Sequence, residues 1–175
     1  LLQDFVLKIS GGKLPVINTK DVLKAGDILL DSRVGHPQLQ EDGFRIVTEH
    51  NQLHLQSASA RGVIYGAVTL LEQFLGVDYF GEMEYVYPRQ QTIQLPQINL
   101  IDNPAFRYRQ TQHYALATDP RYKLWHRLEE PSEVFAANYW VHTFDRLLPS
   151  AHYGPVHPEY YSFFKGQRHP GKASQ

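Results

Sequence analysis

The run Phe44-Arg45-Ile46-Val47-Thr48-Glu49-His50-Asn51-Gln52-Leu53-His54-Leu55-Gln56, followed closely by Ala60-Arg61-Gly62-Val63-Ile64-Tyr65-Gly66-Ala67-Val68-Thr69-Leu70-Leu71-Glu72-Gln73-Phe74, changes its apolar period part-way. In the first half Phe44 and Ile46 share one face of a strand, and Leu53 and Leu55 share one face of the next. Glu49 to Gln52 turns between them, which predicts a β-hairpin. From Ala60 the period lengthens: Val63, Ile64, Ala67, Leu70, Leu71 and Phe74 recur at helical spacing up to Gly76. Gly62 and Gly66 each cost about 1 kcal/mol relative to alanine inside a helix. Placed four residues apart, they predict a helix lying close against a sheet.

Working outward, Leu1, Leu2, Phe5, Val6 and Ile9 follow helical spacing, and Ser10-Gly11-Gly12 ends that helix, with Pro15 preventing a restart. The chain reads as beginning inside a helix, so an export signal would lie upstream. Ile28 to Leu30, Val77 to Phe80 and the proline-flanked Thr92 to Leu95 read as short extended pieces. Together these elements predict a two-layer α+β sandwich over residues 1–101. The turn-forming cluster Asp102-Asn103-Pro104 marks a boundary. Beyond it, Phe106 to His113 reads as a strand, Pro120 to Glu129 as a helix with Tyr122, Leu124, Trp125 and Leu128 as apolar positions, and Val134 to Val141 as a second strand. Strand, helix, strand starts a parallel β/α architecture. A complete barrel takes about 250 residues, so residues 102–175 are expected to hold only its first βα units.

Seventeen basic and eighteen acidic side chains leave a formal charge of −1, which gives no footprint for nucleic acid or an anionic membrane. No apolar run approaches the roughly 20 residues of a membrane span. Without cysteine there is no disulfide, thiolate nucleophile or cysteine zinc site. Aromatic residues make up 13% of the chain. Their enrichment in the second half suits sugar-stacking surfaces, interfaces and cores alike.

Gly43-Phe44-Arg45-Ile46, Leu53-His54-Leu55, Arg61-Gly62-Val63-Ile64-Tyr65-Gly66-Ala67, Leu70-Leu71-Glu72 and Leu75-Gly76-Val77 resemble the non-catalytic N-terminal domain of family 20 hexosaminidases and family 67 α-glucuronidases. The resemblance covers roughly residues 1–100, and it implies a hexosaminidase domain-2-like sandwich. Asn103-Pro104-Ala105-Phe106-Arg107-Tyr108-Arg109, His142-Thr143-Phe144 with Leu147-Leu148-Pro149, and His157-Pro158-Glu159-Tyr160-Tyr161 with Gly166-Gln167-Arg168 resemble the bacterial family known as domain of unknown function 4838. That resemblance implies an accessory domain followed by a glycoside-hydrolase-type barrel, in a periplasmic or secreted protein acting on polysaccharide or glycan. It also implies contacts with the remainder of the same barrel. The alternative is a non-catalytic carbohydrate-binding or structural module.

Glycosidic hydrolysis needs a proton donor and a second group at the anomeric carbon. Glu82 and Glu84 lie in a loop and Glu129-Glu130 at a helix end, and both pairs read as solvated surface. The catalytic acids are therefore expected beyond Gln175, and the chain alone is expected to be inactive. His142 would emerge at the C-terminal end of the second barrel strand, where barrel enzymes carry function, and His113 at the end of the first. Imidazole exchanges hydrogen bonds with sugar hydroxyls, although a buried structural histidine is the competing reading. Trp140 alternates with His142 on one strand face and reads either as core or as a stacking ring. His113, Trp140 and His142 are the candidate substrate-binding residues.

His142, His152, His157 and Glu159 are of metal-ligand type, but His-Glu-x-x-His is absent and Pro158 puts His157 in a turn. No metal or cofactor is expected, and Glu159 and Tyr160 read as residues that tie a loop together. A Gly-x-Ser-x-Gly elbow, a phosphate-binding loop and a dinucleotide fingerprint are all missing from the sequence.

Overall fold

The structure is a computed structural model that describes residues 1–17, 22–82, 84–111, 113, 118–128 and 143–170. The chain forms two compact units, Leu1–Glu129 and Glu130–Gln175.

In the first unit the hairpin and the helix after it stand where the change of period puts them. Strands β1 (Ile28–Asp31), β2 (Phe44–Glu49) and β3 (Gln52–Gln56) belong to one sheet. β2 and β3 pair antiparallel with Ile46 opposite Leu55. His50 and Asn51 make the turn, both at positive φ, as a two-residue hairpin matched to strand twist requires. β1 runs parallel to β3 on one side, and β6 (Asn99–Asp102) runs antiparallel to β2 on the other, for a strand order of β1-β3-β2-β6.

The last strand is not Thr92 to Leu95. Pro96 has no N–H to give a ladder, and the chain joins the sheet only after Ile98 has exchanged hydrogen bonds with Thr48. Leu95 instead packs, half-buried, against the apolar core.

Helix α1 (Leu2–Ser10) buries Phe5 and Ile9 and stops at Gly11, whose φ of 75° places its N–H on Leu7 O. Helix α2 (Ala60–Thr69) starts at Ser59, whose hydroxyl accepts from Gly62 N at 3.0 Å, and continues as one π turn over Leu70–Phe74. A Cβ on Gly62 would lie 2.0 Å from Ser57 Oγ and 2.8 Å from Gly43 O. Gly66 faces the Phe44 ring, which a Cβ would approach to 3.3 Å. Both glycines therefore seat α2 on the sheet.

The helix is covered on more than its sheet side. Val63, Ala67 and Leu70 join Phe44, Ile46, Leu53 and Leu55, whereas Val68, Leu71 and Leu75 join a second cluster with Phe5, Ile9, Val77, Tyr79 and Trp125. Leu71 thus packs away from the sheet rather than on it, since it follows Val68 by three residues and shares that residue's face of the helix. Each such fully buried side chain contributes about 1.5–3 kcal/mol.

Strands β4 (Asp78–Gly81) and β5 (Glu84–Val86) form a separate hairpin that brings Tyr79 and Tyr85 into the second cluster. Helix α3 (Pro120–Trp125) is capped by Asp119 and ends before Glu129. Leu128 N bonds Lys123 O and Arg127 N bonds Leu124 O, with Arg127 left-handed at φ 57°. This is a Schellman ending with arginine where glycine is usual.

The compact unit does not break at Asp102. Asn103 folds the corner by accepting from Gln40 N and donating to Gln38 O, both at 2.8 Å, and Trp125 is buried in the second cluster. The strand expected over Phe106 to His113 does not form at its described positions, 106–111 and 113. Arg109 Nη1 takes Phe106 O at 2.6 Å, satisfying with a guanidinium a carbonyl that a strand would give to a neighbour, and Phe106 is 74% exposed. Val134 to Val141 lies outside the described residues, so the barrel is not among the observed elements. What is observed is a mixed α+β unit.

In the second unit, helices α4 (Phe144–Leu147) and α5 (Ser150–Tyr153) and a 3₁₀ turn (Pro158–Tyr160) lead into the hairpin of β7 (Phe163–Phe164) and β8 (Gln167–Arg168). Lys165 and Gly166, both at positive φ, turn that hairpin. Among its described residues no apolar side chain is buried.

Candidate functional site

Two side-chain clusters hold most of the polar chemistry. In the first unit, Asp42 is buried between two arginines: Arg61 Nε lies 2.8 Å from Oδ1 and Arg109 Nη2 lies 3.1 Å from Oδ2. Arg61 comes from the first turn of α2, and Arg109 from the loop before α3. Arg109 Nε donates to Arg127 O at 2.6 Å, and Arg127 Nη2 donates to Thr69 Oγ1 and Glu72 Oε2. Each described carboxylate here has a cation or hydroxyl against it. The cluster therefore supports the fold and has no free acid for bond cleavage.

Asp119 behaves the same way. Its Oδ1 accepts from Arg121 N at 2.8 Å and its Oδ2 from the buried Tyr79 Oη at 2.7 Å. Partial loss of water pushes the carboxyl up. The hydrogen bonds from Tyr79 and from the Tyr122 and Arg121 backbones outweigh that and hold it below the ordinary carboxylate range.

The second cluster, in the second unit, is open to solvent. The His157 and Tyr160 rings stack at 4.7 Å with 9° between their planes, and His157 Nδ1 donates to Glu159 Oε1 at 2.9 Å. That hydrogen bond, together with Glu159's own N–H, holds the carboxyl below its usual range. Tyr153 lies 6.3 Å from Tyr160, with His152 edge-on to it. Tyr161 Oη donates to Leu148 O at 3.2 Å, and its hydroxyl is raised by burial first and by Asp145 and Tyr153 after that. Tyr160 remains 53% exposed, and Phe163 and Phe164 are each 61% exposed. Tyr160 thus offers an oriented ring edged by imidazole and carboxylate, and Phe163 and Phe164 stand exposed in the hairpin that follows.

A family model described as Domain of unknown function (DUF4838) matches residues 79–175, more than half of the chain. The chain belongs to the DUF4838 family. A search of curated proteins gives no match. The DUF4838 segment begins inside the first compact unit, at Tyr79 in β4, so β5, β6 and α3 also belong to it. The Asp42–Arg109 and Glu72–Arg127 ion pairs therefore join residues ahead of the DUF4838 segment to residues within it. Tyr160, Phe163 and Phe164 lie inside the DUF4838 segment.

Of the residues singled out from the sequence, His113 is exposed and follows a loop rather than a strand, with its N–H on Thr111 Oγ1 at 3.3 Å. His142 and Trp140 lie outside the described residues, as do Glu129 and Glu130. Glu82 and Glu84 flank the β4–β5 turn and are exposed. Glu159 ties its loop through His157. Among the described residues no third histidine or acid joins that pair in a metal-holding group. Sequence reading takes Tyr160 as a residue that ties a loop together and passes over Phe163 and Phe164. Their dense aromatic spacing was the available signal, but alternation alone does not say which rings stay uncovered. Among the described residues no helix is long and apolar enough to cross a membrane.

Proposed function

We propose that the chain serves carbohydrate binding. In this reading it supplies an accessory α+β layer and a sugar-contacting surface to a periplasmic or secreted glycoside-hydrolase-type protein, and the catalytic acids lie outside this chain. The observation that carries the proposal is the oriented, solvent-facing Tyr160 ring. Sugars present C–H faces to aromatic rings and hydroxyls to the polar groups at the ring's edge. Tyr160 is held by stacking on His157, and Glu159 stands beside it as an acceptor. The engagement of Asp42, Glu72, Asp119 and Glu159 by partners supports a binding role rather than bond cleavage by these acids.

The test is affinity electrophoresis of the chain through gels containing soluble polysaccharides, alongside an aryl-glycoside assay. Retarded migration that Tyr160→Ala abolishes, with no turnover, is the expected result. Unretarded migration in every polysaccharide would overturn the binding role. Turnover lost on changing one of the chain's own acids would overturn the placement of catalysis elsewhere.

A further inference from the structure

Building on the carbohydrate reading, we propose that the β7–β8 hairpin selects sugars that carry a carboxylate. Phe163 and Arg168 are register partners on one face of the ribbon, and the Arg168 guanidinium carbon lies 4.9 Å from the Phe163 ring centroid. Phe164 sits on the other face with Lys165 Nζ 5.3 Å from its centroid and the His169 ring at 6.3 Å. A guanidinium laid over a ring has its plane set by that contact, and its N–H groups point outward in the plane.

Arg168 Nη1 donates to Tyr161 O at 2.9 Å, which fixes the side chain further. Among the described residues Nε and Nη2 of Arg168 donate to nothing, and Lys165 has no ion pair. Between Tyr161 and Pro170 the sequence has no acid. The acids of the described second unit are Asp145 and Glu159; Glu159 is hydrogen-bonded to His157 and also feels the Arg168 charge, but it makes no ion pair with Arg168. The hairpin therefore presents an oriented two-donor fork beside the exposed Phe163 ring on one face, and the Lys165 ammonium beside the exposed Phe164 ring on the other. A carboxylate accepts such a fork bidentately, and a sugar ring bearing it supplies the C–H face for phenylalanine. A flat lipid surface fits less well, because the two phenylalanines lie on opposite faces of the ribbon and cannot both meet one plane.

The experiment uses the full chain in affinity gels containing polygalacturonate or alginate, with fully methyl-esterified polygalacturonate and dextran as uncharged counterparts, and vesicle flotation with phosphatidylserine as a further arm. Retention on the carboxylated polymers should exceed that on the esterified one. Arg168→Gln should weaken it about 10- to 100-fold, the weight of one charge-assisted bidentate contact. Arg168→Lys keeps the charge without the fork and should recover only part of the loss. Circular dichroism of both variants reports folding. Equal retention on charged and esterified polymers, or retention indifferent to Arg168, overturns this inference and leaves carbohydrate binding standing. Binding to the vesicles as tight as to the polymers also overturns it. Absence of binding to every polymer overturns the carbohydrate reading together with it.

Discussion

Arg127 Nη2 lies 2.8 Å from Glu72 Oε2 and 2.6 Å from Thr69 Oγ1, so a residue just past α3 clamps the point where α2 becomes a π turn. Arg127 adopts a left-handed backbone, which costs a non-glycine residue about 1–2 kcal/mol. Its Nε is buried without a partner among the described residues. Nature's usual glycine would avoid both costs but would lose the clamp. Arg127→Ala should therefore destabilise the chain by about 2–4 kcal/mol, and Arg127→Gly by about 1 kcal/mol less, because glycine relieves the backbone. Urea unfolding of the two variants checks the order, and alanine proving equal to or better than glycine would contradict it.

Asp42 and Arg109 lie on opposite sides of the start of the DUF4838 segment and hold each other at 3.1 Å. Asp42→Ala leaves two guanidinium groups facing an emptied, buried site, for a loss of about 3–5 kcal/mol. A double-mutant cycle with Arg109→Ala should give a coupling of about 1–3 kcal/mol. A coupling near zero would mean that Asp42 is satisfied without Arg109.

Gly62 and Gly66 stand on the same helix but differ in the space beside them. Gly62→Ala drives a methyl into Ser57 Oγ and Gly43 O, so the overpacking cost of about 1–3 kcal/mol exceeds the helical gain of about 1 kcal/mol. A methyl at Gly66 has Phe44 as its nearest neighbour, from 3.3 Å, and the two effects should nearly cancel. Thermal melts of the pair separate these outcomes.

Asp119 titrates below its ordinary range in the folded chain, so the stability that it contributes is complete above the unfolded carboxylate range and declines as pH falls through the folded value. Replacing it with Asn keeps an N-cap oxygen but removes the titration. The stability curve of Asp119→Asn should therefore fall less steeply on its acid side than that of the parent chain. Identical acid slopes in urea unfolding across pH 3 to 6 (roughly the span in which carboxylates titrate) would rule out this contribution.

His142 is proposed as a sugar contact on its expected place at a strand end. His142→Ala in the full-length protein should weaken glycan binding by roughly tenfold at most, the weight of one neutral hydrogen bond, with the melting temperature unchanged. A large drop in melting temperature at unchanged affinity would assign His142 to the core.

The sequence by itself determined the local elements of the first unit. The shift from period two to period 3.6 at Ala60 and the glycines at 11, 62 and 66 are short-range signals set by backbone sterics and side-chain alternation, and the hairpin and α2 follow them. Tertiary structure decided what those signals do not encode. Asn99–Asp102 became the edge strand in place of Thr92 to Leu95, because pairing with β2 depends on Thr48 meeting Ile98 across the fold. The unit passed through Asn103-Pro104 because Arg109 and Arg127 reach Asp42 and Glu72, residues 67 and 55 positions away in the chain. The standing of Tyr160, Phe163 and Phe164 in the second unit is likewise a matter of exposure: these rings were visible in the sequence, and only the surrounding chain decides whether a ring is core or contact.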